Sequence, residues 1–313
     1  VLDMGQNLAG FPEITVRGRK GQKITLLVSE SLSDEGACNQ RQTGRQHYYE
    51  YTLKGEGVET WHPRFSYYGF RYIQVEGAVL KGQKNTLHLP VIQKIQSCFV
   101  YNSAPKVSTF QCSNRIFNEA HRLIEKAVRS NMQSVFTDCP HREKLGWLEQ
   151  DHLCGPGLLY NYDLTGFLPQ TLQNIADAQH ANGAVPTTAP EYVVFEGPGM
   201  DAFAESPEWG CTFVVLPFMY YETYGDDSLI RKYYNGMRRY IDYMTTRAND
   251  GIVSFGLGDW YDYGDFRAGF SRNTPVPLVA TAHYYMVVRY LVEAARMLDN
   301  RYDVAYYTHL GEE

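Results

Sequence analysis

The chain has no run of lysine and arginine and no apolar stretch of membrane-spanning length. With a formal net charge of −6, the first absence argues against a nucleic-acid partner or an anionic membrane. The second argues against a spanning helix. The six cysteines (Cys38, Cys98, Cys112, Cys139, Cys154, Cys211) contain no CxxC and no histidine partner at zinc-finger spacing, so we read them as free thiols. His141 and His152 are not spaced as a zinc pair. Asp259, Asp262 and Asp265 alternate as oxygen ligands would, but the glycine and terminal glutamate of a calcium loop are missing. No phosphate-cradling glycine loop, dinucleotide fingerprint or solenoid repeat is present. We therefore expect no cofactor and no metal.

What is abundant is tyrosine, at 25 residues, which pairs an apolar body with a polar tip and suits either ordinary packing or a wet, hydroxyl-rich pocket. A length of 313 residues suggests two domains. Residues 11–16, 23–28, 48–53, 67–75 and 87–101 read as short strands, with glycine turns between several of them and Gly69 as a bulge inside the fourth. That pattern predicts an antiparallel β-sandwich over 1–106. The period then changes. Ile116, Phe117, Ala120, Leu123, Ile124, Ala127 and Val128 follow the spacing of one buried helix face, with Ser113 as N-cap. Further helices are predicted at 152–162, 164–180, 208–224, 227–247 and 276–298, with Gly225 ending one and Asp226–Asp227 capping the next. Residues 107–313 thus read as a helical domain. Its long loops, 181–206 and 249–275, are rich in Gly, Pro and Asp and carry aromatics, which favours function.

The chemistry concentrates in three clusters. Residues 137–150 hold Asp138, Arg142, Glu143, Trp147 and Glu149. A second is Ser206-Pro207-Glu208-Trp209-Gly210, and a third Gly258-Asp259-Trp260-Tyr261-Asp262. A site that cleaves sugars needs an acid for the leaving oxygen, acceptors for ring hydroxyls and aromatic faces for C–H groups. Glu143 is the general-acid candidate: alone it reads more readily as a solvated helix carboxylate beside Lys144 or Arg142, but Gly146-Trp147 and Asp138 beside it are not a typical solvated face. Asp138 is either a sugar-binding group or a helix N-cap, Trp147 a pocket wall or core, and Glu208 a site carboxylate or a charge favoured by a helix N-terminus. Cys139 reads as a buried structural thiol.

At these residues the chain resembles bacterial α-L-rhamnosidases, glycoside hydrolase family 78. Thr137-Asp138-Cys139-Pro140-His141-Arg142-Glu143-Lys144-Leu145-Gly146-Trp147 is similar to that family's signature. So are residues 62–72, Asp3-Met4-Gly5-Gln6-Asn7-Leu8-Ala9-Gly10, Ser206–Gly210, Gly258–Trp260 and Ala280-Thr281-Ala282. The resemblance implies a concanavalin-like β-sandwich followed by the first part of an (α/α)6 barrel. It implies an inverting hydrolase releasing terminal α-L-rhamnose from a glycan or glycoside, with Glu143 as acid. Asp138, Arg142, Glu149, Gln150, Glu208, Asp259, Trp147, Trp209 and Trp260 would line the sugar. One position departs: many members have Gly-Asp where this chain has Glu149-Gln150. The resemblance also places the general base beyond residue 313. The chain opens on Val1 without an initiator methionine, so we read it as part of a longer polypeptide. Its compartment, bacterial cytoplasm or periplasm, is then unreadable, and assembly into a homo-oligomer stays open. Two alternatives stand beside this reading: another enzyme on the same architecture (a different glycosidase, a glycoside phosphorylase or a polysaccharide lyase), or a non-catalytic glycan-binding homologue.

Overall fold

The computed structural model describes residues 1–313. Its contacts divide into two units: Val1–Ser103 with Phe110–Lys144, and Ala104–Thr109 with Leu145–Glu313.

The first unit is built on seven strands: β1 (Leu2–Arg17), β2 (Lys23–Ser29), β3 (Tyr48–Thr52), β4 (Val58–Trp61), β5 (Tyr68–Glu76), β6 (Val79–Leu80) and β7 (Val91–Phe99). They pair in the order β3-β2-β5-β1-β7-β6, with β4 also on β1. All pairs are antiparallel except the short β6–β7 pair. β1 is 16 residues long and has three partners: β5 and then β4 along one edge, and β7 along the other. Alternation does the sorting: Ile14 and Val16 point inward with Ile24, Leu26 and Val28 of β2 and Phe70 and Ile73 of β5. Each such buried side chain contributes roughly 1.5–3 kcal/mol.

Gly69 is not a bulge. It pairs in register with Ala9, and the irregularity lies on β1 between Asp3 and Leu8. The glycine is needed for another reason. A Cβ there would stand 2.7 Å from Pro140 Cγ and 3.3 Å from His141 Cβ, so the bare backbone lets the segment at 138–143 lie on β5.

Helix α1 (Arg115–Asn131) closes this unit against β1. Its cap is Asn114 rather than Ser113: the Asn114 side chain accepts from the Ile116 N–H at 2.9 Å. The expected buried face is also not found. Ile116, Phe117, Leu123 and Ile124 are 59–74 % exposed, and Ser130 is the helix's one buried residue. Periodicity reports amphipathicity, not what covers it. After α1 the chain is stitched back to the end of β7, with Asn102 N donating to Met132 O at 2.8 Å and Gln133 Nε2 to Val100 O at 2.9 Å.

The second unit is helical: α2 (Glu149–Leu153), α3 (Gly155–Asn161), α4 (Phe167–Ala178), α5 (Asp201–Ala204), α6 (Pro207–Gly210), α7 (Thr212–Tyr224) and α8 (Ser228–Arg247). A hairpin follows, β8 (Asp262–Gly264) and β9 (Phe266–Gly269), then α9 (Val276–Met297) and α10 (Arg301–Leu310). The sequence expectation fused α2 with α3 and α6 with α7, and it missed α5, α10 and the hairpin. α7 is the hub. Phe213, Val214, Val215, Leu216 and Phe218 are all buried, and it packs on α2, α3, α4, α8 and α9. A helix apolar all round belongs in the middle. Gly225 ends it in the left-handed region, as expected. Asp226 then accepts from Ser228 N at 2.9 Å, while Asp227 pairs with Arg231 at 2.7 Å.

Candidate functional site

In the second unit three carboxylates come to share one field. Glu208 sits in the first turn of α6, only 1 % exposed. Ser206 Oγ donates to its Oε2 at 2.7 Å, and the same hydroxyl accepts from Leu257 N at 2.7 Å. Loop 249–275 is thereby tied to α6. Gly256 permits the approach: it has φ of +116°, and a Cβ would meet Ser206 Oγ at 2.6 Å and Glu208 Oε2 at 2.9 Å. Burial raises the Glu208 carboxyl against these donors. Glu149 opens α2. Burial first, then the charges of Glu208 and Asp259, push it up to about 8. At neutral pH it is a protonated carboxyl, able to donate a hydrogen bond. Gln150, half-buried, follows it about 100° further round the helix. α2 is held by Leu148 N donating to Thr187 O at 2.9 Å, by a bridge between Trp147 and Thr188, and by Ala189 N donating to Gly146 O at 3.0 Å.

Aromatic rings connect the three loops. Trp147 meets Trp209 edge-on at 6.4 Å and stacks on Phe195 at 5.3 Å. Phe195 contacts Phe203 at 6.1 Å, and Phe203 meets Trp260 at 5.3 Å and Phe270 at 5.7 Å. Trp209 is buried, whereas Trp147 and Trp260 are half-buried and Asp259 is exposed. Flat faces beside polar acceptors suit a sugar ring. Asp262 is occupied otherwise. Its carboxylate accepts from Arg272 N and Asn273 N at 2.7 Å each and from Tyr263 N at 2.8 Å, which holds the hairpin and lowers its pKa.

The first unit holds the rest of the 137–150 motif. Residues 138–143 form a turn and not the start of a helix, so Asp138 is not an N-cap and Glu143 is not a helix carboxylate. Asp138 is half-buried; Arg142 and Glu143 are exposed. The turn is fixed by Glu143 N donating to Cys139 Sγ at 3.3 Å and by His141 Nε2 at 3.2 Å from Glu30. Burial raises the Cys139 thiol, consistent with a structural role. Lys144 donates to Tyr67 O and stands over the Tyr67 and Tyr68 rings at 4.3 and 4.5 Å. Its burial lowers the ammonium to about 8.

The structure therefore brings Trp147, Glu149, Glu208, Trp209, Asp259 and Trp260 together in one unit. Phe195, Phe203 and Phe270 were not picked out from the sequence. Their signal was their place in loops 181–206 and 249–275. A cleft of about 610 Å³ lined by Arg296, Arg301, His309 and neighbours involves none of these residues.

Comparison with known proteins matches residues 105–313 to the bacterial α-L-rhamnosidase six-hairpin glycosidase domain and residues 1–101 to the bacterial α-L-rhamnosidase concanavalin-like domain. An α-L-rhamnosidase of Formosa agariphila is 30 % identical over 95 % of this chain and 32 % of its own length. One of Streptomyces avermitilis is 31 % identical over 91 % of this chain and 26 % of its own length. The solved α-L-rhamnosidase of Dictyoglumus thermophilum superposes with a TM-score of 0.84 at 30 % identity, covering 99 % of this chain and 33 % of that one. The Streptomyces avermitilis enzyme, solved in complex with L-rhamnose, gives 0.82 at 28 % identity, covering 99 % and 28 %. The chain spans about a third of the length of the curated relatives it matches. Its fold is a concanavalin-like sheet domain followed by helices of a six-hairpin glycosidase domain.

Proposed function

The chain belongs to the bacterial α-L-rhamnosidase family, and from that premise we propose that it serves the hydrolytic release of terminal α-L-rhamnose from glycans or glycosides, with inversion. One observation supports this most: the charges of Glu208 and Asp259 both act on Glu149, beside the Trp147–Trp209 pair. We take 1–106 as the sheet domain and 107–313 as part of the catalytic domain. A rhamnose ring would lay its C–H faces on Trp147, Trp209 or Trp260. Its hydroxyls would go to Asp138, Arg142, Glu149, Gln150, Glu208 and Asp259. Glu143 would protonate the departing oxygen. A second carboxylate, about 6.5–9.5 Å from the acid, would activate water from the opposite face. We assign that base to polypeptide beyond residue 313.

A second reading rests on Glu149. Its carboxyl, held up to about 8, is protonated at neutral pH, as an acid must be. In the first reading it instead donates a hydrogen bond to a sugar hydroxyl. Glu143→Gln and Glu149→Gln in the complete enzyme separate the two. Loss of the acid should lower kcat on natural rhamnosides by about 10²–10⁴, and less on aryl rhamnosides whose leaving group needs little protonation. We expect that split for Glu143. If only Glu149→Gln shows it, the acid is Glu149. If neither does, the hydrolase mechanism is wrong and a glycan-binding role gains.

A further inference from the structure

We propose that His152, Cys211 and His283 form a binding site for a borderline-soft divalent cation, Zn²⁺ by class. The sequence reading found no metal because the three residues lie on α2, at the α6–α7 junction and on α9, with no motif spacing between them. The fold gathers them: one ligand atom of each lies within 4.8 Å of the others. Cys211 Sγ is 3.8 Å from His152 Nε2. Tetrahedral zinc with bonds of about 2.3 Å to sulfur and 2.0–2.1 Å to nitrogen separates such a pair by roughly 3.6 Å. That pair needs to close by only a few tenths of an ångström, and the pairs involving His283, within 4.8 Å, by at most about 1.4 Å.

The hydrogen bonds around the two imidazoles set both for ligation. Thr212 Oγ1 donates to Leu148 O at 2.8 Å, so at 2.7 Å it accepts from His152 Nδ1. That fixes the proton on Nδ1 and leaves the Nε2 lone pair facing Cys211. His283 Nδ1 lies 2.9 Å from Val279 O, which can only accept, so of the two neutral tautomers the one with its lone pair on Nε2 is favoured. Ring N–H groups anchored on a carbonyl and a hydroxyl are the supports that metal-bound histidines use. Cys211 is fully buried. One turn before it, Glu208 Oε1 is buried without a hydrogen-bond partner, an oxygen that a cation's charge would satisfy. A thiolate with two imidazoles selects zinc, cobalt or copper over magnesium or calcium. Three protein ligands leave a fourth position for water or for Glu208. On binding, the Cys211 S–H bond breaks, the S–metal bond forms and the proton leaves to solvent, with no change of oxidation state.

The test is optical and does not depend on rhamnoside hydrolysis. The complete polypeptide, stripped with a chelator, is titrated with Co²⁺ and then with Zn²⁺. The expected result is one equivalent of Co²⁺ showing thiolate-to-metal charge transfer and the visible bands of a tetrahedral site, displaced by Zn²⁺. Cys211→Ser should abolish the charge-transfer band, and His283→Ala should weaken Zn²⁺ binding by at least tenfold. Absence of stoichiometric Co²⁺ binding by the unaltered protein overturns the site, as does an unchanged spectrum in Cys211→Ser. Where Cys211→Ser fails to fold, an unchanged cobalt spectrum in His283→Ala overturns it equally.

Discussion

At neutral pH Glu149 keeps a proton that an exposed glutamate would have lost. Its folded pKa stands near 8, against 4.5 for the free side chain. Between those values the folded state binds more protons than the unfolded state, so stability falls as pH rises through that window. Every tenfold difference in proton affinity between the two states corresponds to about 1.4 kcal/mol, and screening in a partly open site reduces the total to a few kcal/mol at most. Glu149→Gln should flatten the decline, gaining stability at pH 8 and little at pH 5. Denaturant midpoints at the two pH values measure it. A decline as steep as in the parent protein would place that carboxyl in solvent. At this scale the sequence was readable where chemistry is concentrated. Carboxylates beside tryptophan in three clusters pointed to residues that the fold gathers in one unit, Trp147, Glu149, Glu208, Trp209, Asp259 and Trp260. Phe195, Phe203 and Phe270 were not readable, because an aromatic in a loop has no periodicity to betray its partner. His152, Cys211 and His283 were invisible for a related reason: only tertiary structure relates them.

Elements with strong periodic signals were legible. α8 and α9 lie within one residue of their expected limits, and Gly225 ends α7 where a left-handed residue was required. α1 formed on schedule, but its apolar stripe faces outward, since a pattern cannot name its cover. α10 was missed because polar contacts, not a hydrophobic face, tie it to α8. Asp303, buried at its start, accepts from Tyr234 of α8 and from Asn300, both at 2.7 Å, with Arg238 of α8 at 3.6 Å. Asp303→Ala strands these donors and should cost about 2–4 kcal/mol. Urea unfolding of the variant checks this. A loss below about 0.5 kcal/mol, the level of an ordinary surface change, would show that the network does not hold α10.

For the molecule as a whole, the order of a strand-rich region before a helical one was legible from the change of period near residue 105. Helix existence survived into the structure better than helix boundaries, because short helices such as α2, α3, α5 and α6 are set by loop contacts rather than by their own sequence. The proposed division of labour makes a molecular-scale prediction. Residues 1–313 assayed alone with an aryl rhamnoside should show no turnover, since the base is assigned elsewhere. Turnover would bring the base inside this chain, and Glu208 would be the first carboxylate to replace.

The ring-to-ring path through the loops has one more consequence. Of four tryptophans in the chain, three (Trp147, Trp209 and Trp260) lie on that path, and the fourth, Trp61, stacks on Tyr51 in the sheet. Three of the four indoles that residues 1–313 contribute to ultraviolet emission therefore lie on the surface proposed for the sugar. Occupancy can be followed as quenching or a colour shift without attaching any dye, and Trp61→Phe would remove the one indole of residues 1–313 that lies off that path.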